Sequence, residues 1–287
     1  MPIRKIGKET MSQFTLNDRF DSSSGEIAHT MIGEGPDVVL VHGTPTSSVV
    51  WDGVVARLKE RYRFHLLDLP GYGQSEKFEG QEVRLRSFAR VLGEWLEAKG
   101  LEDPILVGHD FGAGTVLGAH LIEKVPVTAI CVSDGVVLSP CGTPFSRLVK
   151  DHESVFAAVP EYVHDAMLRA HLATALSHTL DSDLMQTLID PWLGEVGQAA
   201  YYRQIGQFDY EYTDQLEPLY PSIEVPTMIF WGEEDQWVDI GEGRRLQELI
   251  PGADLRSLPD AGHFTMLDAP GLFSEYLDAW LLQVVGG

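Results

Sequence analysis

The residues best suited to chemistry lie around Asp110, where an apolar stretch gives way to a turn of small residues. Residues 105–107 are apolar and are predicted to end a strand, and residues 115–122 have the composition of a helix. Between them, Gly108 and Gly112 allow strand and helix to pass closely and permit a strained backbone at the residue they flank. The pattern predicts a sharp strand-to-helix turn that presents the Asp110 side chain.

A carboxylate at this turn indicates displacement at a saturated carbon. A serine must lose its proton to a base before it attacks, whereas an aspartate of ordinary pKa is already an anion at neutral pH. Asp110 would then form an alkyl ester with the substrate, and a water activated by a histidine would hydrolyse that ester. Aspartate and glycine also favour ordinary turns, so the interpretation depends on finding the partner groups elsewhere in the chain.

The turn resembles the nucleophile elbow of the α/β-hydrolase fold, in the branch with aspartate at the elbow, which includes epoxide hydrolases and haloalkane dehalogenases. Residues 42–48, ahead of Trp51, resemble the oxyanion loop of haloalkane dehalogenases. The resemblance implies that the backbone N–H groups of Thr44 and Phe111 converge on the site. It also implies an α/β fold with a mostly parallel central sheet, flanking helices and an inserted helical cap.

The groups that would complete the site lie later in the chain. His263 follows the last predicted strand, and the family's order of nucleophile, acid and histidine implies that it is the general base. Two aspartates compete to be the acid that orients it. We favour Asp235, in a Trp-Gly-x-x-Asp pattern where epoxide hydrolases and most of the superfamily keep their acid. Asp134 is the alternative, since it ends the preceding strand, as in one dehalogenase group.

Which leaving group the site accepts depends on its hydrogen-bond donors, and the donors of this chain match neither family completely. Haloalkane dehalogenases usually have Trp directly after the nucleophile, with Asn in the oxyanion loop or a second Trp in the cap, whereas this chain has Phe111 and Thr44. Trp192 is a candidate donor to a departing halide. Epoxide hydrolases use two cap tyrosines as acids, and the resemblance of residues 201–203 to their Trp-Tyr-Arg segment makes Tyr202 the candidate for one of them. The second has no clear match, and the possible positions are Tyr162, Tyr210 and Tyr212.

Epoxide hydrolysis is therefore the first prediction, and haloalkane dehalogenation is the alternative. Because neither pattern is matched in full, hydrolysis of an ester or lactone is a further alternative. A small-molecule binding protein without catalysis is another, since a fold does not determine function.

The remaining pattern predicts one hydrolase core interrupted by the cap. Residues 1–13 are polar and are predicted to be a loose lead-in, followed by a hairpin over residues 14–31. Strands and helices then alternate up to residue 136, which indicates a parallel sheet. Helical stretches without a clear strand follow. We therefore assign residues 1–136 and 222–287 to the core and residues 137–221 to the cap.

Charge and cysteine content limit the partners. The chain has 21 Lys and Arg against 43 Asp and Glu, a formal charge of -22, and such a surface repels nucleic acid and anionic lipid. We expect a small apolar organic substrate and water as partners, no metal or cofactor, and a monomer or homodimer. No signal-peptide or membrane-spanning pattern is found, so the predicted location is cytoplasmic. Cys131 and Cys141 are predicted to be reduced thiols.

Overall fold

An eight-stranded sheet forms the centre of the computed structural model, which describes residues 14–208 and 210–286. The predicted lead-in at residues 1–13 lies outside this range. The strand order is β1-β2-β4-β3-β5-β6-β7-β8; β1 with β2 and β2 with β4 are antiparallel, and the other pairs are parallel. The strands are β1 (Asp18–Ser22), β2 (Gly25–Ile32), β3 (Asp37–Val41), β4 (Arg63–Leu67), β5 (Ile105–His109), β6 (Ala129–Ser133), β7 (Thr227–Gly232) and β8 (Asp254–Leu258).

Burial explains the composition of the central strands. Every residue of β5, β6 and β7 is buried, whereas the edge strand β8 is mostly open to solvent. Near-continuous apolar runs are typical of parallel strands covered by helices on both faces. Because parallel strands end at the same edge of the sheet, the residues that follow β5, β6 and β7 lie near one another, and ligand sites form at such an edge.

Helices flank the sheet, as the predicted fold class requires. The core helices are α1 (Asp52–Leu58), α2 (Leu85–Lys99), α3 (Phe111–Leu121), α10 (Ile240–Leu249), α11 (Thr265–Asp268) and α12 (Pro270–Gly286). Helix α2 packs on α3, and α1 packs on α12. Helix α3 begins at Phe111, not at residue 115 as predicted, because the backbone reverses at Asp110 itself. The predicted α/β class, with a mostly parallel sheet between helices, is confirmed.

The described residues between β6 and β7, where the sequence predicts a cap, form six α-helices and two short 3-10 helices (Asp190–Trp192 and Glu217–Ser222). The α-helices are α4 (Pro144–Asp151), α5 (Glu153–Ala157), α6 (Glu161–Ala173), α7 (Ser182–Ile189), α8 (Gly194–Gly206) and α9 (Tyr210–Leu216). Helix α8 packs against α4, α5 and α6, and α9 packs on α3 of the core. The described part of this segment contains no strand. The boundaries at residues 137 and 221 stay a prediction.

None of the helices in residues 14–208 and 210–286 combines the length and apolar character that crossing a bilayer requires.

Candidate active site

The turn at Asp110 is as sharp as its sequence predicts. Strand β5 ends one residue before Asp110, and α3 begins one residue after it. Asp110 has φ +52°, a left-handed conformation that is unfavourable for a residue with a side chain. A methyl group on Gly108 would collide with the backbone of Gly112, and one on Gly112 would collide with the carbonyl of Val41. The two glycines are therefore required for strands and helix to approach this closely around the carboxylate.

Asp110, His263 and Asp235 form one chain of hydrogen bonds. The Nε2 atom of His263 lies 3.2 Å from Oδ2 of Asp110, and its Nδ1 atom lies 2.8 Å from Oδ2 of Asp235. The second oxygen of Asp235 accepts the backbone N–H groups of Trp237 and Val238, at 2.8 and 2.9 Å. These bonds fix the Asp235 carboxylate, which in turn orients the imidazole ring towards Asp110.

Asp134 lies beside this chain but bonds to other groups. Its Oδ1 atom accepts the backbone N–H of Gly232 at 2.7 Å, and its Oδ2 atom accepts the hydroxyls of Ser133 and Thr265 at 2.6 and 2.7 Å. Burial, and next the negative charge of Asp235, raise the pKa of Asp134 to about 8. The structure therefore places Asp235, and not Asp134, in hydrogen-bond contact with His263.

The charge state of His263 depends on the two carboxylates that it contacts. Burial by itself lowers the pKa of His263, but the charge of Asp235, together with hydrogen bonds and attraction to Asp110, raises the pKa well above 6.5. The imidazole can then donate from both ring nitrogens. Removing the charge of Asp110 would remove part of this stabilisation, so the histidine would lose its proton more readily.

The loop that resembles an oxyanion loop contacts the Asp110 carboxylate. The backbone N–H of Thr44 donates to Oδ1 of Asp110 at 2.6 Å, and the Thr44 hydroxyl donates to Oε1 of Gln204 at 2.8 Å. Phe111 contributes its ring to the wall of the neighbouring cavity and stacks on Phe208, with ring centroids 5.1 Å apart. Thr44 therefore links the carboxylate to helix α8.

A cavity opens next to Asp110, between the sheet edge and the helices α4 and α8. Asp110 is the only acidic residue that lines it in the described part of the chain. The wall is mainly apolar and aromatic, and polar groups of α4 and α8, among them Arg147 and Lys150, interrupt it. Such a cavity suits a small organic molecule that is mostly apolar and carries few polar atoms.

The structure places Tyr202 and Trp192 away from this cavity, which corrects the assignment made from the sequence. The Tyr202 hydroxyl lies 3.0 Å from Nδ1 of His164, in a fully buried position. The indole N–H of Trp192 donates to the carbonyl of Pro45 at 2.7 Å. Neither side chain lines the cavity, and Trp192 already uses its single donor on the backbone.

Two residues that the sequence interpretation missed, Tyr201 and Gln204, line the cavity from α8. Both are almost completely buried, and neither the Tyr201 hydroxyl nor the Nε2 atom of Gln204 has a hydrogen-bond partner among the described residues. Consecutive residues of a helix point about 100° apart, and α8 is turned so that Tyr201 lines the cavity and Tyr202 does not. Residues three apart on a helix share a face, so once Tyr201 is known to line the cavity, Gln204 is expected to line it too.

The family match agrees with this fold and site. The family model described as "alpha/beta hydrolase fold" matches residues 36–270. A solved α/β hydrolase fold protein from Burkholderia ambifaria superposes with a TM-score of 0.88 at 36% identity, covering 92% of this chain and 97% of that one. The chain belongs to the α/β hydrolase fold family.

Two further relatives differ in the activity that their names state. Haloalkane dehalogenase 2 of Mycobacterium tuberculosis is 28% identical over 269 residues, which cover 88% of this chain and 90% of the relative. A solved esterase from Thermogutta terrifontis superposes with a TM-score of 0.75 at 20% identity, covering 93% of this chain and 98% of that one. The likeness to the esterase shows the fold alone.

Proposed function

We propose that this hydrolase opens epoxides through an alkyl ester on Asp110. The observation that carries the proposal is the placement of the Asp110 carboxylate. One of its oxygens is held by the Thr44 N–H and the other faces His263, beside a cavity that Tyr201 lines. Asp110 occupies the position in which a serine hydrolase would have its hydroxyl, and a carboxylate attacks alkyl carbon without a base.

In the first step a carboxylate oxygen of Asp110 attacks an epoxide carbon, and the bond between that carbon and the ring oxygen breaks. Tyr201 donates its phenolic proton to the ring oxygen, which becomes a hydroxyl. Burial raises the pKa of Tyr201 above 10, so the phenol keeps its proton until the alkoxide forms. General acid assistance of this kind contributes roughly a hundredfold or more.

In the second step His263 takes a proton from water, and the resulting hydroxide attacks the ester carbonyl carbon of Asp110. Formation of the ester removes the charge of Asp110, so the pKa of His263 falls and the ring releases to solvent the proton that it holds in the free enzyme. The neutral ring can then accept the proton of water, and after turnover it takes up a proton from solvent again. The Thr44 N–H donates to the oxyanion of the tetrahedral intermediate. Its collapse breaks the ester C–O bond, and the departing alkoxide takes the proton of His263 to become the diol. The acid proton of Asp110 returns to the Tyr201 phenolate.

Dehalogenation of a haloalkane is the second candidate, and the 28% identity to a haloalkane dehalogenase favours it. The attack by Asp110 and the hydrolysis of the ester would be the same. The leaving halide would accept hydrogen bonds from the buried groups of α8, because a buried anion without donors is costly. Phe111 offers no side-chain donor to a halide, and this is why we place the epoxide first.

Trapping the ester on Asp110 distinguishes epoxide opening from dehalogenation. In His263→Ala the second step stalls, and intact mass spectrometry is expected to show an adduct equal to the whole epoxide after exposure to an epoxide panel. After exposure to bromoalkanes, an adduct equal to the bromoalkane minus HBr would identify dehalogenation instead. Asp110→Asn is the control and should form no adduct. Cleavage of activated esters by the wild type, with no adduct from either panel, would contradict alkyl displacement.

A further inference from the structure

The amide of Gln204 is held in one orientation by two hydroxyls. Its Oε1 atom accepts the Thr44 hydroxyl at 2.8 Å and the Tyr72 hydroxyl at 2.8 Å. Tyr72 is fully buried in the core, and Thr44 is fixed by its own backbone bond to Asp110. Both lone pairs of the amide oxygen are therefore occupied by groups that belong to the core.

The other end of the same amide has donors to offer. Nε2 of Gln204 is buried and has no partner among the described residues, while the Gln204 side chain lines the cavity that contains Asp110. A buried amide N–H left unpaired is unfavourable, and an acceptor that enters the cavity relieves this. Two hydrogen bonds through Thr44 connect the Gln204 amide to the Asp110 carboxylate, so the amide lies close to the proposed nucleophile.

We propose that Gln204 is a specificity-determining residue that selects substrates with a second hydrogen-bond acceptor, such as an ether or carbonyl oxygen, close to the carbon that Asp110 attacks. The inference rests on the proposed function and narrows its substrate class. A site with a buried donor discriminates strongly against an analogue that lacks the acceptor, because the donor then stays unpaired.

Two pairs of compounds, one of epoxides and one of bromoalkanes, test this role of Gln204. The two members of each pair have the same number of heavy atoms. Glycidyl methyl ether differs from 1,2-epoxypentane, and 1-bromo-2-methoxyethane from 1-bromobutane, in that an ether oxygen replaces one methylene. For the pair that the enzyme turns over, the ether is expected to have a kcat/KM at least about tenfold higher, after correction for the uncatalysed rates. Gln204→Leu should bring that ratio close to one.

Matched variants separate the donor from a packing effect. Gln204→Glu keeps an acceptor for Thr44 and Tyr72 but loses the donor, so it should lose the preference for the ether as Gln204→Leu does. Gln198→Leu removes another buried glutamine of α8, whose amide donates to the carbonyls of Ala157 and Val159 away from the cavity. It should keep the wild-type ratio.

Binding to Asp110→Asn tests the inference without the chemistry. Calorimetric titration with each epoxide should show tighter binding of the ether, and the double variant Asp110→Asn with Gln204→Leu should lose this difference. Equal binding of the two compounds by Asp110→Asn, or an unchanged kcat/KM ratio in Gln204→Leu, would overturn the inference. If both compounds react equally and leave an adduct on Asp110, the role of Gln204 is overturned and the proposed function stands. If the ether binds more tightly but no adduct forms, only the proposed function is overturned.

Discussion

At the scale of single residues, the site depends on which of two buried aspartates contacts His263. Asp235 bonds to the imidazole at 2.8 Å, while Asp134 is occupied by two hydroxyls and a backbone N–H. The two carboxylates lie close enough for the charge of one to raise the pKa of the other. The sequence favours Asp235 through its Trp-Gly-x-x-Asp pattern, and the contact geometry supports Asp235 as the orienting acid.

Replacing each aspartate by asparagine should separate their roles. Asp235→Asn is expected to lower the rate of ester hydrolysis by about a hundredfold or more, because the imidazole loses both its orientation and the charge that stabilises its protonated form. Asp134→Asn should change that rate by less than about tenfold. Single-turnover decay of the Asp110 adduct measures the step directly. The opposite ranking would make Asp134 the acid.

Two matched substitutions on α8 test which tyrosine donates a proton to the epoxide oxygen. Tyr201→Phe is expected to lower the rate of epoxide opening by about a hundredfold, because it removes the only phenol of the pair that lines the cavity. Tyr202→Phe deletes a hydroxyl that lies against His164 and should leave that rate within about threefold of the wild type. Burst-phase formation of the adduct measures the step, and equal effects of the two substitutions would contradict the assignment.

At the scale of elements, one carboxylate joins the helical segment to the loop that contains His263. Asp268 of α11 accepts the backbone N–H groups of Ser177 and Gly262, each at 2.9 Å, and that of His178 at 3.3 Å. The N–H of His263 donates to the carbonyl of Ala175 at 2.7 Å. The turn after α6 and the loop after β8 are therefore joined by hydrogen bonds, and the position of His263 depends on both.

Asp268→Ala should therefore destabilise the fold and not only the site. Three backbone donors lose a buried carboxylate, and we expect the free energy of unfolding to fall by about 3 kcal/mol. Urea denaturation measures this. Asp239→Ala is the comparison, since Asp239 caps α10 at the surface through Gly241 and its removal should cost about 1 kcal/mol. If Asp268→Ala lowers the free energy of unfolding no more than Asp239→Ala does, the two segments do not depend on the Asp268 carboxylate.

At the scale of the whole molecule, the buried charges tie stability to pH. The pKa of Asp134 is about 8 in the folded protein, against about 4 for an exposed aspartate. Between these values the folded state holds a proton that the unfolded state has released, so each rise in pH favours unfolding. The contribution of Asp134 is complete below pH 4 and is lost as the pH rises through about 8.

Asp134→Asn removes this titration and should flatten the pH dependence. We expect the free energy of unfolding of the wild type to fall more steeply between pH 5 and pH 8 than that of Asp134→Asn, as measured by urea denaturation across this range. The steepest slope that one such group gives is about 1.4 kcal/mol per pH unit. Parallel curves for the two proteins would mean that Asp134 is ionised in the folded state throughout.

The sequence by itself determined the parts of this protein that local chemistry specifies. Continuous apolar runs predict the central parallel strands because both faces of such strands are buried. The small residues around Asp110 predict the sharp turn because larger side chains would collide there. The same residues make the family recognisable, because this turn, the loop at residues 42–48 and the His263 loop are short motifs that the sequence shows directly.

Only the tertiary structure decided which side chains meet. The sequence favours Asp235 over Asp134, but the contact itself depends on where the loop after β7 places the Asp235 carboxylate relative to His263. The choice between Tyr201 and Tyr202 depends on the rotation of α8, which is set by its packing on α4, α5 and α6. Gln204 lies 160 residues from Thr44, and no local pattern specifies a contact between such distant residues.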